Sequence, residues 1–429
     1  MKRQKVLGIS VSVVLLVIAS GALLQLRSDS SQEAPTGFMT PTLQDNPGSQ
    51  SQSNGMPEPA GDSFARDQAT FEEEEGVDSG LGPVYNARSC VDCHQTPVTG
   101  GSSQVGEFRV GHLDKSGHFV NPTIVINDGQ STIPNRSLVN DRSVCPQASE
   151  LVPLAEYVRT FRMSLNVLGD GFVEAVDDNT LKTIAAQQPG LSHGKIAGEY
   201  IQVPLAEAGG ALRVGRFGWK DQQASLLSFS SDAYINEQGI TNRLSGPDTT
   251  AVCKTTQDPE DHQDDIGMDD IDHFANFIRG TMAPPVDTTL MATADAQAGQ
   301  QIFTQIGCAV CHVTGMTTLP SGTAINGGTF VIPDALGNKT FHPYSDFLLH
   351  NINTGDGIVQ NGPADTQYKV RTAPLWGLRT RDRLMHDGLS ASREEAIIRH
   401  GGEAINVTKS FLTLNSKQRA QLLTFLNAL

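Results

Sequence analysis

The pentapeptide Cys90-Val91-Asp92-Cys93-His94 recurs as Cys308-Ala309-Val310-Cys311-His312. Cys-x-x-Cys-His is the attachment signature of c-type haem. Two thiols three positions apart on one turn reach the two vinyl groups of one porphyrin. The histidine that follows is carried under the ring, where an imidazole nitrogen can meet the iron. Zinc sites would call for further Cys or His partners at short spacing, and a thioredoxin-like dithiol for a βαβ setting. Neither pattern is visible in the sequence, so the reading is two covalently attached c-type haems.

The chain has 429 residues and a formal net charge of −16, room for two or three domains. That charge argues against nucleic acid as a partner. Met1-Lys2-Arg3-Gln4-Lys5 precedes a nearly unbroken apolar run from Val6 to Leu26. This is a charged n-region with a long h-region, and it is read as a signal peptide or a membrane anchor over residues 1–26. Either one exports the body of the protein, to the periplasm or the outer face of the inner membrane. Export agrees with c-type haem. Cys145 and Cys253 lie outside the two motifs. In an oxidising compartment they are expected to pair and close a loop of roughly a hundred residues.

Residues 27–62, rich in Ser, Gln, Pro, Gly and Asn, read as a disordered linker. Residues 63–285 then form an N-terminal haem domain with a helical insertion, and 286–429 a C-terminal cytochrome c-like domain, divided at Pro284-Pro285. Ser63 to Glu75 is a helix with Ser63 as a candidate N-cap. His112 and His118 follow the first motif; either could reach the far side of the first haem, or both lie at the surface. Phe119 to Ile133 reads as short strands, and Leu151 to Phe161 as a helix. Glu174 sits among small and apolar residues, a setting that raises a carboxyl pKa and suits proton transfer; the plainer reading is a helix-start carboxylate. Trp219 and Trp376 are the two tryptophans. Each is core, or a relay for an electron between haems. Asp269 to Arg279 is an amphipathic helix. The pattern Gly299-x-x-Ile302-Phe303 ahead of Cys308 is that of a cytochrome c first helix. Leu414 to Leu429 would be the last helix, packed across it. The fold class expected is mainly α: two cytochrome c-like haem domains with long loops and a few short strands.

Several ordered segments resemble a known family. Arg371-Thr372-Ala373-Pro374-Leu375-Trp376-Gly377-Leu378, His386-Asp387-Gly388 and Glu394-Glu395-Ala396-Ile397 are similar to bacterial di-haem cytochrome c peroxidases. Gly80 to Cys90, Phe217-Gly218-Trp219-Lys220, Tyr344 to His350 and His400-Gly401-Gly402-Glu403-Ala404 resemble more closely the di-haem oxidoreductases also called thiol oxidoreductases. The resemblance implies a catalytic N-terminal haem, and a C-terminal haem fed by a small electron-donor protein, a cytochrome c or a copper protein. In the peroxidase relatives a Met ligates the C-terminal haem fourteen residues after the His of His-x-Gly. Here that position is His400, which implies His312/His400 ligation and a lower potential than His/Met. Glu174 falls where the relatives carry an acid over the peroxide pocket. The relatives also hold calcium between the domains; Arg381-Asp382-Arg383 stands at that segment, and calcium is left open.

The resulting expectation is an exported, peroxidase-like di-haem oxidoreductase. Hydrogen peroxide or another small oxidant would meet the haem on His94, with Glu174 moving protons and Trp219 or Trp376 on the electron path. An electron-transfer cytochrome without a substrate, and an oxidase of a protein or thiol partner, are the alternatives.

Overall fold

Each Cys-x-x-Cys-His motif begins as a single 3₁₀ turn, Cys90–Asp92 and Cys308–Val310. The first turn is started by Ser89, whose hydroxyl accepts from the Asp92 amide at 3.3 Å. Arg88 N–H in turn donates to the Asp92 carboxylate at 3.0 Å. The second is started by Gly307, whose φ of 99° a side chain would strain. The computed structural model describes residues 31–38 and 51–429. Residues 1–26, read above as a signal peptide or membrane anchor, lie outside the described residues.

The second motif sits against two crossing helices, Ala294–Gln305 and Ser416–Ala428. They meet at Gly299, where an added Cβ would lie 2.0 Å from the Gln421 carbonyl oxygen. Only glycine permits that approach. Ile302 and Phe303 of the first helix pack with Leu422, Phe425 and Leu426 of the last to form a C-terminal core. The first motif sits against Phe64–Glu72 and Asp270–Gly280. The helix Asp270–Gly280 buries Ile271, Phe274, Phe277 and Ile278, as its periodicity predicts. The larger core draws on residues from both sides of Pro284-Pro285, joining Phe71, Phe172, Phe217 and Phe274 with Phe341, Phe347 and Trp376.

The fold is not the mainly α arrangement expected. Helix accounts for 32% of the chain and strand for 17%, in several small sheets. Gly106–Leu113 pairs with Val158–Met163, with Leu138–Val139 and with Phe119–Val120. Thr123–Ile126 lies between Thr132–Pro134 and Glu150–Leu151. The stretch Leu151 to Phe161, expected to be helical, is mostly extended. Its Val, Thr, Phe and Arg residues alternate between faces, and Val158–Met163 finds a full antiparallel partner, which outweighs local helix preference. The linker also differs from its reading where it is described. Gln32–Glu33 pairs with Lys339–Thr340, Thr36 with Ala283 and Ser53 with Thr281. Ala34 and Met56 are buried. A polar segment is held here by backbone pairing, which composition does not report.

Cys145 and Cys253 form a disulfide across 108 positions, tying the small sheets to the acidic loop that precedes Asp270. Among the described residues, no helix is long and apolar enough to cross a membrane.

Candidate active site

The second motif opens onto the larger cavity, about 170 Å³, lined by Cys308, Cys311, His312, Phe303, Leu375, Leu378, Leu422 and Leu426, among others. His312 Nδ1 lies 2.9 Å from the Tyr344 carbonyl. A carbonyl only accepts, so Nδ1 carries the proton and Nε2 keeps its lone pair for a metal. His400 repeats the device: its Nδ1 donates to the Ala396 carbonyl at 2.7 Å. Burial lowers both imidazole pKa values, that of His312 to about 4, so both are neutral ligands in waiting. The two ring centres are 6.4 Å apart. Two imidazole–metal bonds of roughly 2 Å each, plus the distances from nitrogen to ring centre, span about 6 Å. The residues therefore fit an iron held between His312 and His400. Arg371, Arg381 and Arg393 also line this cavity. Burial, then neighbouring Arg371, lowers the Arg381 pKa to about 10. Such buried guanidinium groups suit carboxylates such as haem propionates.

The first motif opens onto a smaller cavity, about 90 Å³, lined by Cys90, Cys93, His94, Phe71, Val167, Phe229, Tyr234, Glu237, Gln238, Phe274 and Ile278, among others. His94 Nδ1 is 3.2 Å from the Gly101 carbonyl, and burial lowers its pKa. Among the described residues lining this cavity, His94 is the only histidine, and none is Met or Lys. Instead its wall carries one acid, Glu237. A π-helical segment, Tyr234–Gln238, turns Tyr234, Glu237 and Gln238 toward it; such segments are frequent at functional sites. Burial, then the charge of Glu107, raises the Glu237 pKa to about 8. The Tyr234 hydroxyl lies 2.9 Å from both Glu75 and Asp270. One hydroxyl proton serves only one of them, and burial raises the pKa of both acids.

The four motif thiols are unpaired, whereas the other two cysteines form a disulfide. Burial raises their pKa values, those of Cys93 and Cys308 to about 12. Reactive redox thiols need the opposite shift. With a facing imidazole and a cavity beside each pair, the arrangement fits thioether attachment.

The remaining residues singled out by sequence are placed as follows. His112 and His118 line neither cavity. His112 pairs with Glu156 at 2.7 Å, and His118 lies near Asp114 at the surface. Glu174 also lines neither cavity, and the expectation of a raised pKa is corrected. Burial opposes its charge, but Arg279 outweighs it and lowers the pKa. Arg279 reaches it at 2.7 and 3.0 Å, the Leu226 amide at 2.8 Å and Asn326 at 2.9 Å. The apolar neighbours in sequence gave no sign of an arginine 105 positions away. Trp219 lines the larger cavity, edge-on to His386, and its Nε1–H donates to the Met163 carbonyl at 2.8 Å. Trp376 packs in the core against Phe341.

Sequence reasoning passed over Glu237, Tyr234 and His350. His350 lines the larger cavity between Asp346 (2.9 Å) and Glu403 (3.0 Å). Burial opposes its charge, but Asp346 raises its pKa well above the usual value. The family-like segment ending at His350 was the available signal.

The model of one protein family, described as "Di-haem oxidoreductase, putative peroxidase", matches residues 147–429. The chain belongs to this family. No curated protein matches it. Solved structures similar to it include a hydrazine synthase of Kuenenia stuttgartiensis under xenon pressure. That chain is 12% identical, with a TM-score of 0.38, over 98% of this chain and 100% of the other. A MauG-like protein associated with microbial copper homeostasis is 15% identical, with a TM-score of 0.30, over 59% of this chain and 89% of the other. Similarity at this level carries no argument about function.

Proposed function

We propose that this di-haem oxidoreductase is an exported, peroxidase-like enzyme. In this reading Cys90, Cys93 and His94 hold a catalytic c-type haem, and Cys308, Cys311, His312 and His400 an electron-supplying one. The observation that carries the reading is the asymmetry of the cavities. The larger one presents two imidazoles facing each other across a metal-sized gap, whereas the smaller presents one. A site with one protein ligand leaves a position for substrate. The haems would supply the redox chemistry. The protein's part is to hold neutral imidazoles, exclude water and place protons. Glu237, protonated at neutral pH, and the proton shared among Tyr234, Glu75 and Asp270 are the groups placed to serve the smaller cavity. Glu174 serves by position: it joins the start of the helix Leu226–Ala233 to Arg279, and both helices wall that cavity.

The segment from Met163 to Val167 supports an electron path. The Met163 carbonyl accepts from Trp219 at the larger cavity. The Leu165 carbonyl faces the ring of His94, and Val167 lines the smaller cavity. A small cytochrome c or copper protein as donor, hydrogen peroxide as oxidant and a periplasmic setting complete the proposal.

Electron paramagnetic resonance of the oxidised protein, with and without peroxide, tests it. The expected result is one high-spin signal abolished by peroxide and one low-spin signal. Two low-spin signals indifferent to peroxide, before and after half-reduction, would favour an electron carrier.

A further inference from the structure

A group of acids behind the smaller cavity is unexplained by either haem. Asp62 precedes the helix Phe64–Glu72, Asp67 lies on it, and Glu58 sits just upstream. They face His273 on the helix Asp270–Gly280. The side chains of Asp62 and Asp67 have no exposed surface. Carboxylates without water or partners are costly, yet Asp62 Oδ2, Asp67 Oδ2 and both oxygens of Glu58 are shielded from water and receive no hydrogen bond.

The partners that are present hold the cluster in shape without filling it. His273 Nδ1 is 2.6 Å from Asp67 Oδ1 and 3.6 Å from Asp62 Oδ1, and its Nε2 is 2.9 Å from Asp264 Oδ2. Asp62 Oδ1 accepts from the Ser63 amide at 2.8 Å. Arg66 pairs with Asp264 at 2.6 Å and Asp265 at 2.5 Å, facing outward. His273 thus spends both nitrogens on carboxylate oxygens other than the orphaned ones. Five carboxylates, those of Glu58, Asp62, Asp67, Asp264 and Asp265, face one guanidinium and one imidazole, so the cluster remains anionic. One ligand atom each of Asp62, Asp67 and His273 lie within 4.8 Å of one another, so the two carboxylates converge beside one imidazole, close enough for a single cation to reach both.

We infer that the orphaned oxygens of Glu58, Asp62 and Asp67 form a binding site for one hard divalent cation of the calcium class, with His273 holding the carboxylates in place from outside. All-oxygen donors select calcium or manganese over softer metals. The ion would staple the helix Phe64–Glu72 to Asp270–Gly280. Phe71 and Phe274 follow Asp67 and His273 on those helices and line the smaller cavity, so the site would stiffen that wall. The site is separate from Arg381-Asp382-Arg383, and it does not depend on the peroxidase reading.

The test uses the full-length holoprotein, stripped of divalent ions by chelation and titrated calorimetrically with calcium, manganese and magnesium chlorides. One calcium per chain is expected, with a rise in thermal midpoint and at least about tenfold weaker magnesium binding. Asp62→Asn should weaken calcium binding at least about tenfold while far-ultraviolet circular dichroism stays unchanged. Anomalous diffraction from manganese-soaked wild-type crystals locates the ion without any variant, and should place it between Glu58, Asp62 and Asp67. No ion bound by the wild type, a manganese peak elsewhere only, or undiminished calcium binding by a folded Asp62→Asn protein would each overturn the inference.

Discussion

The two cavities share a five-residue motif and differ in everything that faces it. At the larger, the wall opposite His312 supplies His400, a neutral imidazole whose Nδ1 is tied to the Ala396 carbonyl, and the lining supplies arginines. At the smaller, the wall comes from helices that bring a phenol and one carboxyl group, with no second imidazole among the lining residues. The motif is local chemistry, whereas the group across from it depends on which element packs there. Two copies of one motif therefore face different partners: a second imidazole across the larger cavity and none across the smaller.

The strongest way to break this comparison is to remove the imidazole from each side. His94→Gln should lower peroxide-dependent oxidation of a reduced donor by more than about a hundredfold, beyond the usual cost of altering a supporting residue. His400→Met should leave an active enzyme whose C-terminal centre has a higher potential, since a His/Met iron lies above a bis-His one. Spectroelectrochemistry of the two centres reads this directly. An unchanged potential and spectrum in His400→Met would remove His400 from the ligand set and with it the contrast between the cavities.

Next in size is the wall of the smaller cavity. Glu174→Ala would leave Arg279 buried and unpaired, at a cost of about 3–5 kcal/mol in unfolding free energy. A group that only moved protons would cost turnover and little stability. Urea unfolding alongside kinetics separates the two, and full stability with lost turnover would restore the proton-transfer role. The Cys145–Cys253 bridge comes third. Replacing both cysteines with alanine should cost about 2–4 kcal/mol through the longer unfolded loop. The loss should fall on the small sheets and the acidic loop, with the larger cavity's spectrum unchanged.

How much of this was readable in advance follows the same line between local and distant. The Ser63 cap, the helix before Cys308 and the last helix across Gly299 were all legible. Each is set by a few neighbouring residues or by one periodic stripe. The small sheets were underestimated because short strands such as Val158–Met163 owe their state to a partner fifty positions away rather than to a strong pattern. Glu174 was misjudged for the same reason: Arg279 cancels the apolar setting that its neighbours in sequence suggest. Glu237 was missed because a π-helical turn, which no residue pattern announced, swings it toward the cavity.

Glu237 gives the subtlest test. Its folded pKa, about 8, lies above the ordinary carboxyl value of about 4.3 in the unfolded chain. Below both values the proton is bound in either state, and the group adds no pH dependence. Between them the unfolded chain releases a proton that the folded chain keeps, so stability falls as pH rises toward 8 and levels off above it. One such proton is worth up to about 1.4 kcal/mol per pH unit. Glutamine resembles the protonated acid and does not titrate, so Glu237→Gln should unfold with a flatter dependence on pH between 5 and 8. Urea titrations of both proteins across that range measure the slope. Equal slopes would mean that Glu237 is ionised in the folded protein, and the smaller cavity would lose its best-placed proton donor.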